Sequence, residues 1–352
     1  MPPDAEAAAL PAPPAPTGFP VMQSVQNVPA AGVLTISITG SAKAVLDIRM
    51  APAVPTPDPP VPIDWPPSAT LSLLVHAARP LPAACNVSTS VSASATTVRI
   101  DTAGDAGIDG PQIAVAASLA LPAALDTPLD LHVSMENGAV RIDPLTPAVA
   151  FGRVSVVTAV GAIDTNGLVA QSLLLRAGIG AIKAQANVSH DLFVDTGAGS
   201  VLADIRFLDD ATAARRGSGA SQDGDDAPRT AHISSSGGLI GGSVAGYRSL
   251  QVLGGTAPIT LSLDPLHGAA TSLDSMAGAS RLEFAPGYNG RFNARTSLGR
   301  VSVVGHDVHF DPPGGGLPIP DRAASGYVGP LDTAKSSVLA SATLGLITLT
   351  FA

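Results

Sequence analysis

Asp195 stands in the segment FVDTGAGS at 193–200, a carboxylate followed directly by a hydroxyl residue and a glycine. A tight turn of that composition presents a carboxylate to its surroundings. Two such groups held together share one proton and activate water against a carbonyl. The chemistry therefore needs a second copy. IDTNG at 163–167 and LDSMAG at 273–278 do not supply the order Asp, hydroxyl residue, Gly. A symmetric pair of chains could supply one Asp each.

FVDTGAGS resembles the active-site sequence of aspartic proteases, which makes a protease centred on Asp195 the alternative function. The other titratable groups argue less for chemistry. His306 and His309 flank Asp307 in GHDVHF; on a strand, residues three apart face opposite sides, so they read as surface histidines rather than ligands. Asp105, Asp109, Asp223, Asp225 and Asp226 lack the ligand order of a calcium loop and read as solvated loop charges. Cys85 is the single cysteine, has no disulfide partner in the chain, and reads as an incidental thiol. No GxxxxGK phosphate cradle occurs. The sequence thus predicts no catalytic set, no cofactor and no metal. Asn86 and Asn187 each open an Asn-Val-Ser sequon, which matters only in a secretory pathway. Trp65, Tyr247, Tyr288 and Tyr327 are too dispersed to predict a sugar-stacking platform.

The elements that would position these residues are β-rich. Of 352 residues, 45% are hydrophobic but only 3% aromatic and 13% charged, so a core would be built from Ala, Val, Leu and Ile, which suits thin stacked sheets. The net charge is −9 with no basic cluster, so nucleic acid is not an expected partner. Residues 1–20 combine acids and prolines without a basic start or an apolar run and are expected to be a disordered tail. No run of eighteen apolar residues predicts a membrane-spanning helix. The compartment stays open.

Residues 21–128 read as an N-terminal β-rich region interrupted by a proline-rich loop at 51–67. Convincing helical amphipathicity is absent; the Ala-rich stretch 115–125 comes nearest to an exception, and Pro122 would interrupt it. Residues 129–352 read as a second unit with a polar insertion at 208–229, where Arg215 and Arg216 form a solvated pair. Within it a motif recurs: an apolar residue, a spacer, a small residue, two spacers, glycine, a spacer, and a branched apolar residue. Its corners are Gly138, Gly161, Gly180, Gly199, Gly238, Ala257, Gly299 and Gly345. Three of the intervals are 19 residues, from Gly161 to Gly180, Gly180 to Gly199, and Gly238 to Ala257. Each copy reads as strand, corner, strand, the scale of one solenoid coil, with an antiparallel meander as the competing arrangement. The gaps from Gly199 to Gly238 and from Ala257 to Gly299 read as loops extruded from coils. Asp195 then occupies a variable spacer of one corner.

The segments DLFVDTGAGSV, AHISSSGGLIGG and ASATLGLITLTF resemble the recurring LxVxTxxGxI motifs of the putative-adhesin family of β-strand-repeat domains. The resemblance covers roughly residues 129–352. It implies an all-β, right-handed β-helix-like solenoid and a non-catalytic surface or scaffolding role toward a protein or glycan, with no catalytic residues to carry over. Ala257 in place of glycine and Met135 in place of a small residue are the departures from the pattern.

Overall fold

The computed structural model describes residues 19–29, 32–40, 43–50, 68–77, 86–91, 95–102, 113–121, 128–143, 150–208, 228–312, 322–331 and 335–352. Within them lie twenty-one strands: β1 (Phe19–Pro29), β2 (Val33–Gly40), β3 (Lys43–Met50), β4 (Ser68–Ala77), β5 (Asn86–Val91), β6 (Ala95–Thr102), β7 (Ile113–Leu121), β8 (Leu129–Ile142), β9 (Ala150–Val160), β10 (Ile163–Ile179), β11 (Ile182–Ala198), β12 (Val201–Phe207), β13 (Thr230–Ser235), β14 (Ile240–Ala245), β15 (Ser249–Gly254), β16 (Ile259–Asp264), β17 (Ala270–Phe284), β18 (Gly290–Gly305), β19 (Val308–Phe310), β20 (Ala323–Val328) and β21 (Ser336–Phe351). The protein is all-β, with no α-helix among the described residues. The Ala-rich stretch 115–125 is no exception to this: its described residues, 115–121, lie in strand β7. Ala117, Leu119 and Leu121 are buried at every second position, and this period-2 burial overrides the helix propensity of alanine. Phe19 and Pro20, placed in the tail by sequence, open β1. The proline-rich loop, most of the polar insertion, Cys85, Trp65 and the acidic clusters lie outside the described residues.

Two parallel ladders carry the structure. In the first, Val98, Ile36, Val133, Val156, Leu175, Val194, Ile233, Val252, Leu273, Ala340 and Ala294 follow one another in register. In the second, Ala117, Leu46, Val140, Ile163, Ile182, Val201, Ile240, Ile259, Ser280, Ile347 and Val301 do the same. All of these residues are buried and belong, Ser280 apart, to one continuous hydrophobic core. Among the described residues of 129–284 the strands pair in parallel, not as the antiparallel meander.

Several strands run through the corner and take part in both ladders. β11 pairs with β12 through Ile182–Val188 and with β13 through Asp191–Thr196. β17 likewise joins β15 and β16. The pairings among β11, β12, β14, β16, β17, β15 and β13 therefore close on themselves, a ring of seven parallel strands with further strands on either side. The interval from Ala257 to Gly299 is not an extruded loop: it contains β17 and most of β18.

The corners explain why glycine recurs. Gly161, Gly180, Gly199, Gly299 and Gly345 all have φ between +129° and +156°, a region costly for side chains larger than hydrogen. A Cβ on Gly161 would collide with the carbonyl of Gly138, one on Gly180 with that of Gly161, one on Gly199 with that of Gly180, and one on Gly238 with that of Gly199. Each corner is thus packed directly on the backbone of its predecessor. The stack continues through Ala257, Gly278, Gly345 and Gly299. Gly199→Ala should therefore cost about 3 kcal/mol or more. Gly167→Ala, at φ +68° with open space around the added carbon, should cost about 1–2 kcal/mol. Urea denaturation of both variants measures the difference.

Candidate functional site

Position three before the corner glycine points inward; it holds Thr158, Thr196, Ser235, Ser275 and Thr296 at five corners and Met135, Ala177 and Ala342 at three others, all buried. A partly buried corner carbonyl gains from a donor, and the inward hydroxyls of three corners supply one. The Thr196 hydroxyl donates to the carbonyl of Gly180 (3.0 Å), that of Ser235 to Gly199 (2.9 Å), and that of Thr158 to Gly161 (3.4 Å). Ser235 also accepts from the N–H of Gly238 (3.0 Å).

This accounts for the centre of FVDTGAGS. Thr196 holds the preceding corner, and Gly197 and Gly199 pass over Gly178 and Gly180. Asp195 points outward on the first ladder, where its Oδ2 lies 3.1 Å from the Arg176 Nε and its Oδ1 accepts from the Ser234 hydroxyl at 2.5 Å. Its side chain faces a cation and a hydroxyl from the flanking coils.

The outward face of the same ladder carries a more distinctive arrangement. His132, Ser155, Leu174, Phe193, His232 and Gln251 follow one another across the strands. The rings of Phe193 and His232 stack at 4.7 Å and 8°, and His232 Nδ1 lies 3.1 Å from Gln251 Oε1. One flank is the polar row Arg153, Ser172, Asp191, Thr230 and Ser249, in which Thr230 donates to Asp191 at 2.6 Å. The other flank holds Arg176, Asp195 and Ser234. Between the ring row and the Asp191 row lies an open depression of about 540 Å³. Hydrogen bonds across coils and ring stacking fix these side chains in place, so little rotamer entropy remains to be lost on contact with a ligand.

A second, smaller depression of about 340 Å³ lies on the outward face of the other ladder, lined by Gln185, Asn187, Asp204, Arg206 and Ser243. Ser243 donates to Asp204 at 3.0 Å, and no aromatic ring reaches it. Asn187 of the second sequon sits here at mid-strand, with Ser189 buried.

The remaining sequence candidates are scattered. His309 stacks on Tyr327 at 4.8 Å, while Asp307 forms the turn at φ +53°. Among the described residues no three His, Cys, Asp or Glu side chains gather as a metal site. Tyr247 is buried and bonded to Thr271, and Tyr288 packs on Phe284 and Phe351. Burial pushes both phenols well above the ordinary tyrosine range. The tyrosines do not converge. The Phe193 and His232 pair is separated in sequence by the polar insertion, and its signal is subtle: both stand six residues before a corner glycine, Gly199 and Gly238.

No family model and no curated protein matches the chain. It is similar to solved proteins described as putative adhesins. One from Bacteroides fragilis NCTC 9343 is 8% identical with TM-score 0.37, covering 94% of this chain and 97% of its own. A putative cell adhesion protein from Clostridium sporogenes ATCC 15579 is 7% identical with TM-score 0.21, covering 95% and 100%. A putative adhesin from Parabacteroides merdae ATCC 43184 is 9% identical with TM-score 0.28, covering 75% and 89%.

Two substitutions separate the roles within the DTG segment. Thr196→Val leaves a buried carbonyl without its donor and should cost about 1–3 kcal/mol. Asp195→Asn loses a partly exposed ion pair and should cost no more than about 1 kcal/mol. Chemical denaturation measures both.

Proposed function

We propose that the chain is a non-catalytic, adhesin-like binding module, a right-handed β-solenoid whose outward first-ladder face meets a protein or glycan at a surface. The observation that carries this reading is the fixed row Leu174, Phe193, His232 and Gln251 bordered by charged and hydroxyl side chains. Apolar rings beside pre-set donors and acceptors suit recognition of an extended polar chain. A peptide strand or an oligosaccharide laid across the coils would meet both.

Asp195 supports the non-catalytic reading because its carboxylate is held by Arg176 and Ser234 within a repeated corner rather than paired with a second carboxylate. A surface location would fit such a module. No helix among the described residues is long and apolar enough to cross a membrane.

Immobilised protein screened against glycans, extracellular-matrix proteins and cell surfaces provides the test. Phe193→Ala with His232→Ala should weaken the strongest interaction at least about tenfold, with unchanged thermal unfolding. Equal binding by the folded double variant would remove this face from the function.

A further inference from the structure

Asn137, Asn166 and Asn289 are each followed by glycine. In such a pair the main-chain nitrogen of the glycine can attack the asparagine side-chain amide carbon, because no Cβ on the second residue hinders the approach. That nitrogen must give up its proton and swing toward Cγ. A nitrogen held in a ladder, or a side chain wedged into the core, is therefore protected until the fold opens locally.

The fold treats the three pairs differently. Asn137 stands in register with Val160 and Gly138 with Ala44, and a Cβ on Gly138 would overlap the Ala44 carbonyl. The Asn137 Nδ2 also lies 3.5 Å from the Gly40 carbonyl. Gly290 is buried between Ser336 on one side and Val328 on the other, and the Asn289 side-chain oxygen is buried as well. Asn166 and Gly167, by contrast, are both exposed. Between β10 and β11 the register passes from Thr165 opposite Ala184 to Leu168 opposite Ala186, so the two residues bulge out over Gln185. On the other side of β10 the pairing with β8 ends at Thr165 and that with β9 begins at Val169. Among the described residues neither Asn166 nor Gly167 has a ladder partner, and Gly167 stands at φ +68° with nothing within 4 Å of an added Cβ.

We propose that Asn166 is a self-modification site, converted in the folded protein by its own backbone with water as the sole co-reactant. The Gly167 nitrogen forms a bond to the Asn166 Cγ while the Cγ–Nδ2 bond breaks. The amide nitrogen leaves as ammonia, carrying the proton that Gly167 gives up. Water then opens the five-membered imide, its hydroxyl going to the carbonyl carbon and its hydrogen back to nitrogen. Opening at Cγ yields aspartate, and opening at the main-chain carbonyl yields isoaspartate. Either way a neutral amide has become a carboxylate, and nothing is oxidised or reduced.

The position gives the product its consequence. Gly167 lines the depression on the outward face of the second ladder, which also holds Asp204 and Asp264, with Arg206 the one cation among its described lining residues. Conversion adds a negative charge at this rim. The isoaspartate route also lengthens the main chain by one methylene, in a bulge that no ladder bond constrains. The depression thus grows more acidic with the age of the molecule while the core and the corners stay as they are.

Timed incubation of the full chain in warm, mildly alkaline buffer tests the proposal. Arg141, Arg153, Arg176, Arg281 and Arg291 place the three pairs on separate tryptic peptides. Mass spectrometry then reads amide loss at each, and isoaspartate-specific methyl labelling reads the rearranged product. In the folded protein Asn166 should convert at least about tenfold faster than Asn137 or Asn289, whereas in concentrated denaturant the three should convert at similar rates. Gly167→Ala, confirmed as folded by circular dichroism, should slow conversion at Asn166 roughly tenfold or more, because the added methyl blocks the attacking nitrogen. Equal rates at the three sites of the folded chain, the same ranking of rates folded and denatured, or an intact Asn166 over an interval in which the denatured chain converts would overturn the inference.

Discussion

A single steric constraint organises this protein: the carbonyl oxygen of one corner occupies the place where the next corner would carry its Cβ. The contact recurs from Gly138 to Gly161, Gly180, Gly199 and Gly238. Because the corners cannot slip past one another, the flanking strands stay in parallel register and the valines, leucines and isoleucines of each ladder fall on one another. The inward hydroxyls are the polar counterpart of this contact. They satisfy partly buried corner carbonyls at Gly161, Gly180 and Gly199, while Ala177 and Ala342 hold the same position without a hydroxyl.

The fixed corner leaves the outward positions free to vary, and function can accumulate there. Position six before the corner is His, Ser, Leu, Phe, His and Gln in successive coils. None of these choices disturbs the core, yet the ladder sets them side by side. A surface of this kind is composed residue by residue on an invariant frame.

The motif spacing made the corners readable in the sequence, since glycine there answers to backbone geometry rather than to a partner that sequence does not show. Gly278 escaped notice because it lies 21 residues after Ala257 and its segment LDSMAG invites comparison with DTG. In the Ala-rich part of β7 local propensity and structure pull apart: alanine's helix propensity is local, while the burial of Ala117 and Leu119 comes from neighbours distant in sequence. The stacked pair of Phe193 and His232 was hidden by the insertion between them. Register across an insertion emerges only when both strands are aligned on their own corners.

The C-terminal strand has a consequence of another kind. β21 lies between β17 and β18 and pairs with both, whereas β17 and β18 do not pair with each other. Gly299 therefore rests on Gly345, a residue made later. Domains condense from the N-terminus as they emerge, but here a later strand lies between two earlier ones. Among the described strands β18 takes its parallel partner from Ser336–Phe351 alone, so its place in the ladder depends on a segment that follows it in the chain.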